Sequence, residues 1–246
     1  MKYAIFSDIH GNYDALKCVL AKAKELKIEK YFFCGDLVGY GAESEKCAQA
    51  LMKLKNFTGI MGNHDISLLD PNMFSWFSSA AIQSILYAKK FLSPKSLEFV
   101  STFKTIHIGK AFWAVHGSFT DPFREYLLSA EQFEVNRDKW SGNICFLGHT
   151  HMPIMIYSKA NKFPEVMIID GDDTTIELKK NTRYMINPGS VGQPRDNNPK
   201  ACFGIYDSVK HTFRLIRVKY PVASAQEKIR KAKLPRILAD RLSAGV

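Results

Sequence analysis

The sequence has no pair of cysteines at C-x-x-C spacing. Its five cysteines, Cys18, Cys34, Cys47, Cys145 and Cys202, are odd in number and scattered. This argues against a disulfide framework and for reduced, mostly buried thiols in a cytoplasmic protein. No run approaches the roughly 20 apolar residues of a membrane span. The opening Met1-Lys2-Tyr3-Ala4-Ile5-Phe6-Ser7-Asp8 holds too short an apolar run for a secretory signal, and an acid and a histidine follow at once. Gly/Ser-rich and Pro-rich linkers are absent, as are repeats of fixed period. The expectation is one domain over residues 1–246 with no membrane partner.

Hydrophobic residues make up 46% of the chain and charged residues 24%, an ordinary globular balance. The formal net charge of +10 is unevenly placed. Residues 200–246 hold eleven Lys/Arg against three Asp/Glu, while residues 1–199 hold 23 against 21. A basic tail can attract anionic substrates or nucleic acid. The plainer reading is a solvated helix face. No aromatic residue interrupts the stretch from Lys228 to Arg241, which weakens a stacking role on single strands.

Short apolar runs alternate with helical patterns in the first half. Residues 3–7, 30–34 and 57–61 read as buried strands, with helices near 12–27 and 44–54 between them. Asn12 is a plausible cap for the first helix. This β-α-β-α-β order implies parallel pairing. Residues 63–103 read as helical pieces broken near Pro71 and Pro94. Strands follow near 104–108, 111–115 and 144–147, the last after a helix at 130–139. From 153 onward, six short strand patterns predict a largely antiparallel sheet, and helical patterns near 222–232 and 235–243 close the chain. Two mixed sheets with helices outside is the simplest architecture that covers both halves.

Five segments place Asp, His or Asn just after a predicted strand. They are Asp8-Ile9-His10, Gly35-Asp36, Gly62-Asn63-His64-Asp65, Val115-His116-Gly117 and Gly148-His149-Thr150-His151. Ligand sites of parallel α/β sheets gather at strand carboxyl ends, where neighbouring strands are ~4.8 Å apart. Carboxylate, imidazole and amide oxygen together suit a divalent transition metal such as Mn, Fe or Zn. Only His107 and His211, each inside a predicted strand, fall outside these segments.

In this order the five blocks resemble the calcineurin-like metallophosphoesterase family, whose pattern reads D-x-H, G-D, G-N-H-[DE], H and G-H-x-H. The resemblance implies a four-layer αββα sandwich of two mixed sheets flanked by helices. It implies two divalent ions, with Ni and Mg open besides Mn, Fe and Zn. One ion would be held by Asp8, His10, Asp36 and His151, the other by Asp36, Asn63, His116 and His149. Asp36 would bridge them, and a hydroxide between them would attack phosphorus. His64 would protonate the leaving oxygen or bind phosphate. GDLVGYGA, VHGSFTDPFREYLL, GHTHMP and NPGSVGQPRD further resemble a branch related to diadenosine tetraphosphate hydrolases.

The chain departs from the serine/threonine phosphatase pattern G-D-x-x-D-R, since Gly39 and Tyr40 stand in place of Asp and Arg. That leaves His64 without an assigned orienter and the block without a guanidinium. The loop Asn187–Arg195, with two Gly and two Pro, is either a plain connector or a substrate loop in which Arg195 supplies the phosphate donor. Arg124 and Tyr126 are further substrate candidates. The resulting expectation is a phosphatase or phosphodiesterase acting on a small phosphoester or nucleotide. A nuclease and a non-catalytic metal-binding scaffold are the alternatives, and the oligomeric state is left open.

Overall fold

The computed structural model describes residues 1–160 and 162–246. Two six-stranded sheets form its centre. The first runs in the order β3 (Phe57–Gly59), β2 (Lys30–Phe33), β1 (Lys2–Phe6), β11 (Ala201–Asp207), β12 (Thr212–Val218) and β9 (Asp173–Glu177). The second runs β4 (Ile106–Ile108), β5 (Trp113–Val115), β6 (Ile144–Phe146), β10 (Thr182–Pro188), β7 (Pro153–Lys159) and β8 (Glu165–Ile168). β1, β2 and β3 are mutually parallel, as are β5, β6 and β10, and the remaining pairings are antiparallel.

Alternation along single strands explains the layering. Ala4 and Phe6 of β1 face one apolar cluster and Ile5 faces another. Phe33 and Phe32 of β2 divide the same way, as do Phe203 and Tyr206 of β11. In the second sheet, Phe146 of β6 and Ile186 of β10 point to the cluster that Ile5 and Phe32 enter, while Cys145 and Met185 point away from it. The shared cluster lies between the sheets, and each outer face is covered by helices. Strands buried on both faces read as continuous apolar runs.

The helices are α1 (Tyr13–Glu25), α2 (Ser44–Met52), α3 (Asn63–Ile66), α4 (Ser79–Phe91), α5 (Pro94–Ser101), α6 (Ala130–Asn136), α7 (Val222–Lys231) and α8 (Arg236–Ala244). Asn12 caps α1, its side chain accepting from the Ala15 N–H at 3.1 Å. Pro71 and Pro94 open elements rather than only interrupting them. Pro71 starts a 3-10 helix and Pro94 opens α5 behind the Ser93 cap. An early position is where a missing N–H costs nothing.

Two expectations need correcting. The strands after residue 153 do not form a sheet of their own. β7, β8 and β10 extend the second sheet, and β9, β11 and β12 extend the first. Local alternation sets which face is buried but not which sheet accepts the strand. His211 lies in the turn before β12, with φ of 53°, and not in a strand.

Candidate metal centre

Parallel pairing brings the carboxyl ends of β1, β2 and β3 to one edge, and those of β5 and β6 to the facing edge. Asp8 follows β1, Asp36 follows β2, and Asn63 opens α3 after β3. His116 follows β5, while His149 and His151 lie between β6 and β7. The two edges are tied together: the His149 N–H donates to Asp8 Oδ1 at 3.1 Å. Asp8, His10, Asp36, His149 and His151 all have positive φ, between 46° and 70°. For non-glycine residues this costs about 1 kcal/mol or more each. Such turns end the strands abruptly and aim successive side chains into one cleft.

Ligand atoms of Asp8, His10, Asp36 and His151 all lie within 4.8 Å of one another. The same holds for Asp36, His116 and His149. Asp36 belongs to both groups, and Asn63 Oδ1 lies 3.0 Å from His116 Nε2 in the second. The structure thus gathers all seven expected ligands, six of them in two sets that share one carboxylate.

The ring nitrogens show that the donor set fits a cation. Nδ1 of His10 donates to the Val38 carbonyl at 2.8 Å, and Nδ1 of His151 donates to Gln193 O at 2.6 Å. With the protons on Nδ1, the two Nε2 lone pairs face each other at 3.1 Å. Around them are Asp8 Oδ1, 3.4 Å from His151, and Asp36 Oδ2, 3.6 Å from His10. Asp8 Oδ2 is buried without a partner. His116 repeats the pattern, its Nδ1 donating to Cys34 O at 2.7 Å while Nε2 lies 3.4 Å from Asp36 Oδ2. Inward lone pairs and carboxylates in a buried space are the complement of a positive ion.

In the metal-free chain, protons partly take that role. Burial raises the Asp8 carboxyl to about 7. Burial works against charge on His116, but the adjacent Asp36 outweighs it and the ring rises to about 9. Asp36 stays well below the usual carboxylate range despite burial, held there first by His116 and then by His64. Burial lowers His149 to about 3 and keeps His10 and His151 well below the ordinary imidazole value.

His64 stands beside this centre. Its backbone N–H donates to Asp36 Oδ1 at 2.9 Å. The ring is fenced by His10, Tyr40 and Phe77, with centroids 4.7, 4.6 and 4.7 Å away at steep angles. Its Nδ1 is buried without a partner against the backbone of Gly39. Ring edges and a bare glycine therefore fence the imidazole whose orienter the sequence left unassigned. Burial lowers its pKa to about 4, so it is neutral at physiological pH.

The three substrate candidates line the same cavity of about 380 Å³ as Asp36, His64 and His149. Arg195 Nη2 donates to Tyr40 Oη and Gln193 Oε1, both at 3.3 Å, and Nε has no partner. The Arg124 guanidinium lies over the Trp76 ring at 4.2 Å, and its carbonyl is 3.3 Å from His149 Nε2. Tyr126 stacks on His149 with centroids 4.1 Å apart. The Asn187–Arg195 loop packs on the turn that follows β1, the Gly192 N–H donating to Asp8 O at 2.9 Å, and a side chain on Gly192 would collide with Ile9 O.

Two contributors were missing from the sequence reading. Asp65 accepts from the backbone N–H groups of Asp36, Leu37, Val38 and Gly62 at 2.8–3.3 Å. It thereby holds the turn that presents Asp36. The acid at the end of G-N-H-[DE] was the available signal. Arg241 of α8 lines the cleft from the far end of the chain. Only the unassigned basic charge of the tail pointed toward it.

The model of the Calcineurin-like phosphoesterase superfamily domain matches residues 1–210. The chain belongs to this superfamily. Membership carries the reaction class, hydrolysis of ester bonds. An uncharacterized protein of Methanocaldococcus jannaschii is 35% identical over 98% of this chain and 97% of its own length. The crystal structure of a metallophosphoesterase from Sphaerobacter thermophilus superposes with a TM-score of 0.86 at 30% identity, covering 100% of both chains. A symmetrical bis(5'-nucleosyl)-tetraphosphatase of Wigglesworthia glossinidia brevipalpis is 37% identical over 71 residues, 28% of this chain and 26% of that protein.

Proposed function

We propose that this calcineurin-like phosphoesterase hydrolyses a small phosphoester or nucleotide with the help of two divalent ions. The observation that carries the reading is a pair of buried ligand groups sharing Asp36. Asp8, His10, Asp36 and His151 would hold one ion, and Asp36, Asn63, His116 and His149 the other. Ions so placed would supply Lewis acidity toward phosphoryl oxygens and lower the pKa of water toward neutrality. Manganese, iron and zinc suit this mixed oxygen and nitrogen donor set. His64, neutral and fixed by its neighbours, offers Nε2 to a substrate oxygen as a hydrogen-bonding group. Arg195 supplies a planar fork for the phosphoryl group. Arg124 and Tyr126 shape the adjoining wall.

The size of the cleft supports a small substrate. The nucleotide element draws on the partial likeness to the tetraphosphatase. The nuclease alternative drew on related folds that cut nucleic acid and on the basic tail, and much of the tail's charge is paired. Lys228 meets Asp14 and Glu43, Lys231 meets Glu227, and Arg230 and Arg236 meet Asp240. Both sheets take strands from both halves of the chain, which supports a single domain over residues 1–246. The free cysteines accord with a cytoplasmic setting. No described helix is long and apolar enough to cross a membrane.

The deciding experiment is turnover of p-nitrophenyl phosphate, bis-p-nitrophenyl phosphate, nucleotides and dinucleoside polyphosphates with Mn, Fe, Zn, Ni or Mg. Hydrolysis of at least one member in a metal-dependent manner is expected. Inertness toward the whole panel would favour the scaffold alternative.

A further inference from the structure

Arg195 and Arg241 share one cleft, and neither is paired with an Asp or Glu side chain among the described residues. The neighbouring acids are engaged elsewhere. Asp196 pairs with Arg217, and Asp240 pairs with Arg230 and Arg236. Arg241 is placed by the end of α8. Its Nε donates to Val246 O at 2.7 Å, and Gly245 O accepts from the Asn197 N–H at 2.8 Å. Gly245 has φ of 69° and packs so closely on Asn198 that a side chain there would strike its backbone. The α8 terminus is therefore docked on the loop that carries Arg195, and the two guanidinium groups are set relative to each other.

Their depths differ. Arg195 is mostly enclosed beside Tyr40 and near the ligand groups, whereas Arg241 is only part-buried at the rim. Two like charges in one cavity repel unless an anion lies between or beside them. A single phosphoryl group on the floor would be satisfied by the ions and Arg195. The charge at the rim is then left for another group.

We propose that Arg241 is a specificity residue that binds a second phosphate on the substrate, apart from the phosphoryl group that is hydrolysed. The inference rests on the phosphoester reading and narrows it to small molecules bearing two or more phosphates. The second phosphate could be joined through an anhydride or esterified at a separate position. Planar guanidinium groups recognise phosphate with two parallel hydrogen bonds, which lysine cannot reproduce.

The test uses methylphosphonate, methylenediphosphonate and 1,3-propylenediphosphonate, titrated by calorimetry into manganese-loaded protein. Their carbon–phosphorus bonds are not esters, so binding is read whether or not the protein turns over. One diphosphonate should bind wild type about tenfold more tightly than methylphosphonate, as one added charge-assisted contact implies. The methylene probe winning indicates an anhydride, and the propylene probe winning indicates separate esters. Arg241→Gln should cut that advantage to about threefold or less while methylphosphonate binding changes by less than about twofold. Arg241→Lys, which keeps the charge and guards against a folding defect, should fall between. A wild type without the advantage, or an Arg241→Gln variant that retains it, overturns the proposal. Turnover of bis-p-nitrophenyl phosphate by wild type judges the phosphoester reading separately.

Discussion

Replacing Gly39 with alanine should destabilise the protein and slow it through His64 without emptying the metal site. Gly39 has φ of 88°, where an L side chain is strained by about 1–2 kcal/mol. A Cβ there would overlap His64 Nδ1 and stand 3.0 Å from Cε1 and 3.2 Å from Cγ. The ring would have to retreat by about 1 Å, into the fence formed by His10, Tyr40 and Phe77. Overpacking of this kind adds about 1–3 kcal/mol, giving roughly 2–5 kcal/mol in total. For a chain of this length that lowers Tm by about 4–20 °C. A shift of about 1 Å in a group that meets the substrate costs about a hundredfold in turnover. The assays are thermal unfolding, bis-p-nitrophenyl phosphate kinetics and metal analysis of the same preparations. A double-mutant cycle isolates the cause. In a His64→Ala background, Gly39→Ala should cost only the backbone strain of about 1–2 kcal/mol. Wild-type Tm and turnover in Gly39→Ala, or an equal cost in both backgrounds, would show that Gly39 does not hold the His64 ring.

Arg195→Ala should raise KM or lower kcat at least about tenfold with metal content unchanged, since a charge-assisted contact to phosphate is lost. Asp65→Ala should lower stability by about 3 kcal/mol or more in denaturant unfolding, because four buried N–H groups lose their acceptor. It should also weaken metal binding by loosening the Asp36 turn, and Asp65→Asn should do so less. In the metal-free protein, stability should fall as pH rises from about 7.5 toward 9. The folded pKa of His116 is raised from 6.5 to about 9, so its stabilisation is complete below 6.5 and is lost between there and about 9. Asp8, raised from 3.8 to about 7, ends its own decline in the same direction near 7. His64, His149, His10 and His151, all lowered from 6.5, act in the opposite sense: their unfolded forms still hold protons near 6.5, so their contribution rises with pH and is spent by about 7.5. Metal binding should strengthen across the same window and release protons, measurable by calorimetry in buffers of different ionisation enthalpy.

The five blocks that carry the candidate ligands were legible because each follows a predicted strand, and the ligand roles came from the order of those blocks, which resembles the family's pattern. The burial of β1 and β2 was legible in their short apolar runs. Sheet membership of the later strands was not, since β9 and β10 are close in sequence yet join different sheets. Asp65 was overlooked because its partners are backbone N–H groups up to 29 residues away, which leave no side-chain signature. Arg241 was read only as part of a basic run. Its neighbours Arg230 and Arg236 do pair with an acid on the surface, and the docking of α8 alone sets it apart. The loss of the Asp–Arg pair at Gly39-Tyr40 was visible, but the packing that replaces it depends on Phe77, far along the chain.

Metal titration of the stripped protein asks whether a two-ion centre sharing Asp36 hydrolyses phosphoesters. Metal bound and bis-p-nitrophenyl phosphate turnover should be followed together against equivalents of manganese added. Two ions per chain are predicted, with turnover appearing as the second site fills and both sites weakened in Asp36→Asn. Full turnover with one ion or none, or two tightly held ions in Asp36→Asn, would contradict such a centre.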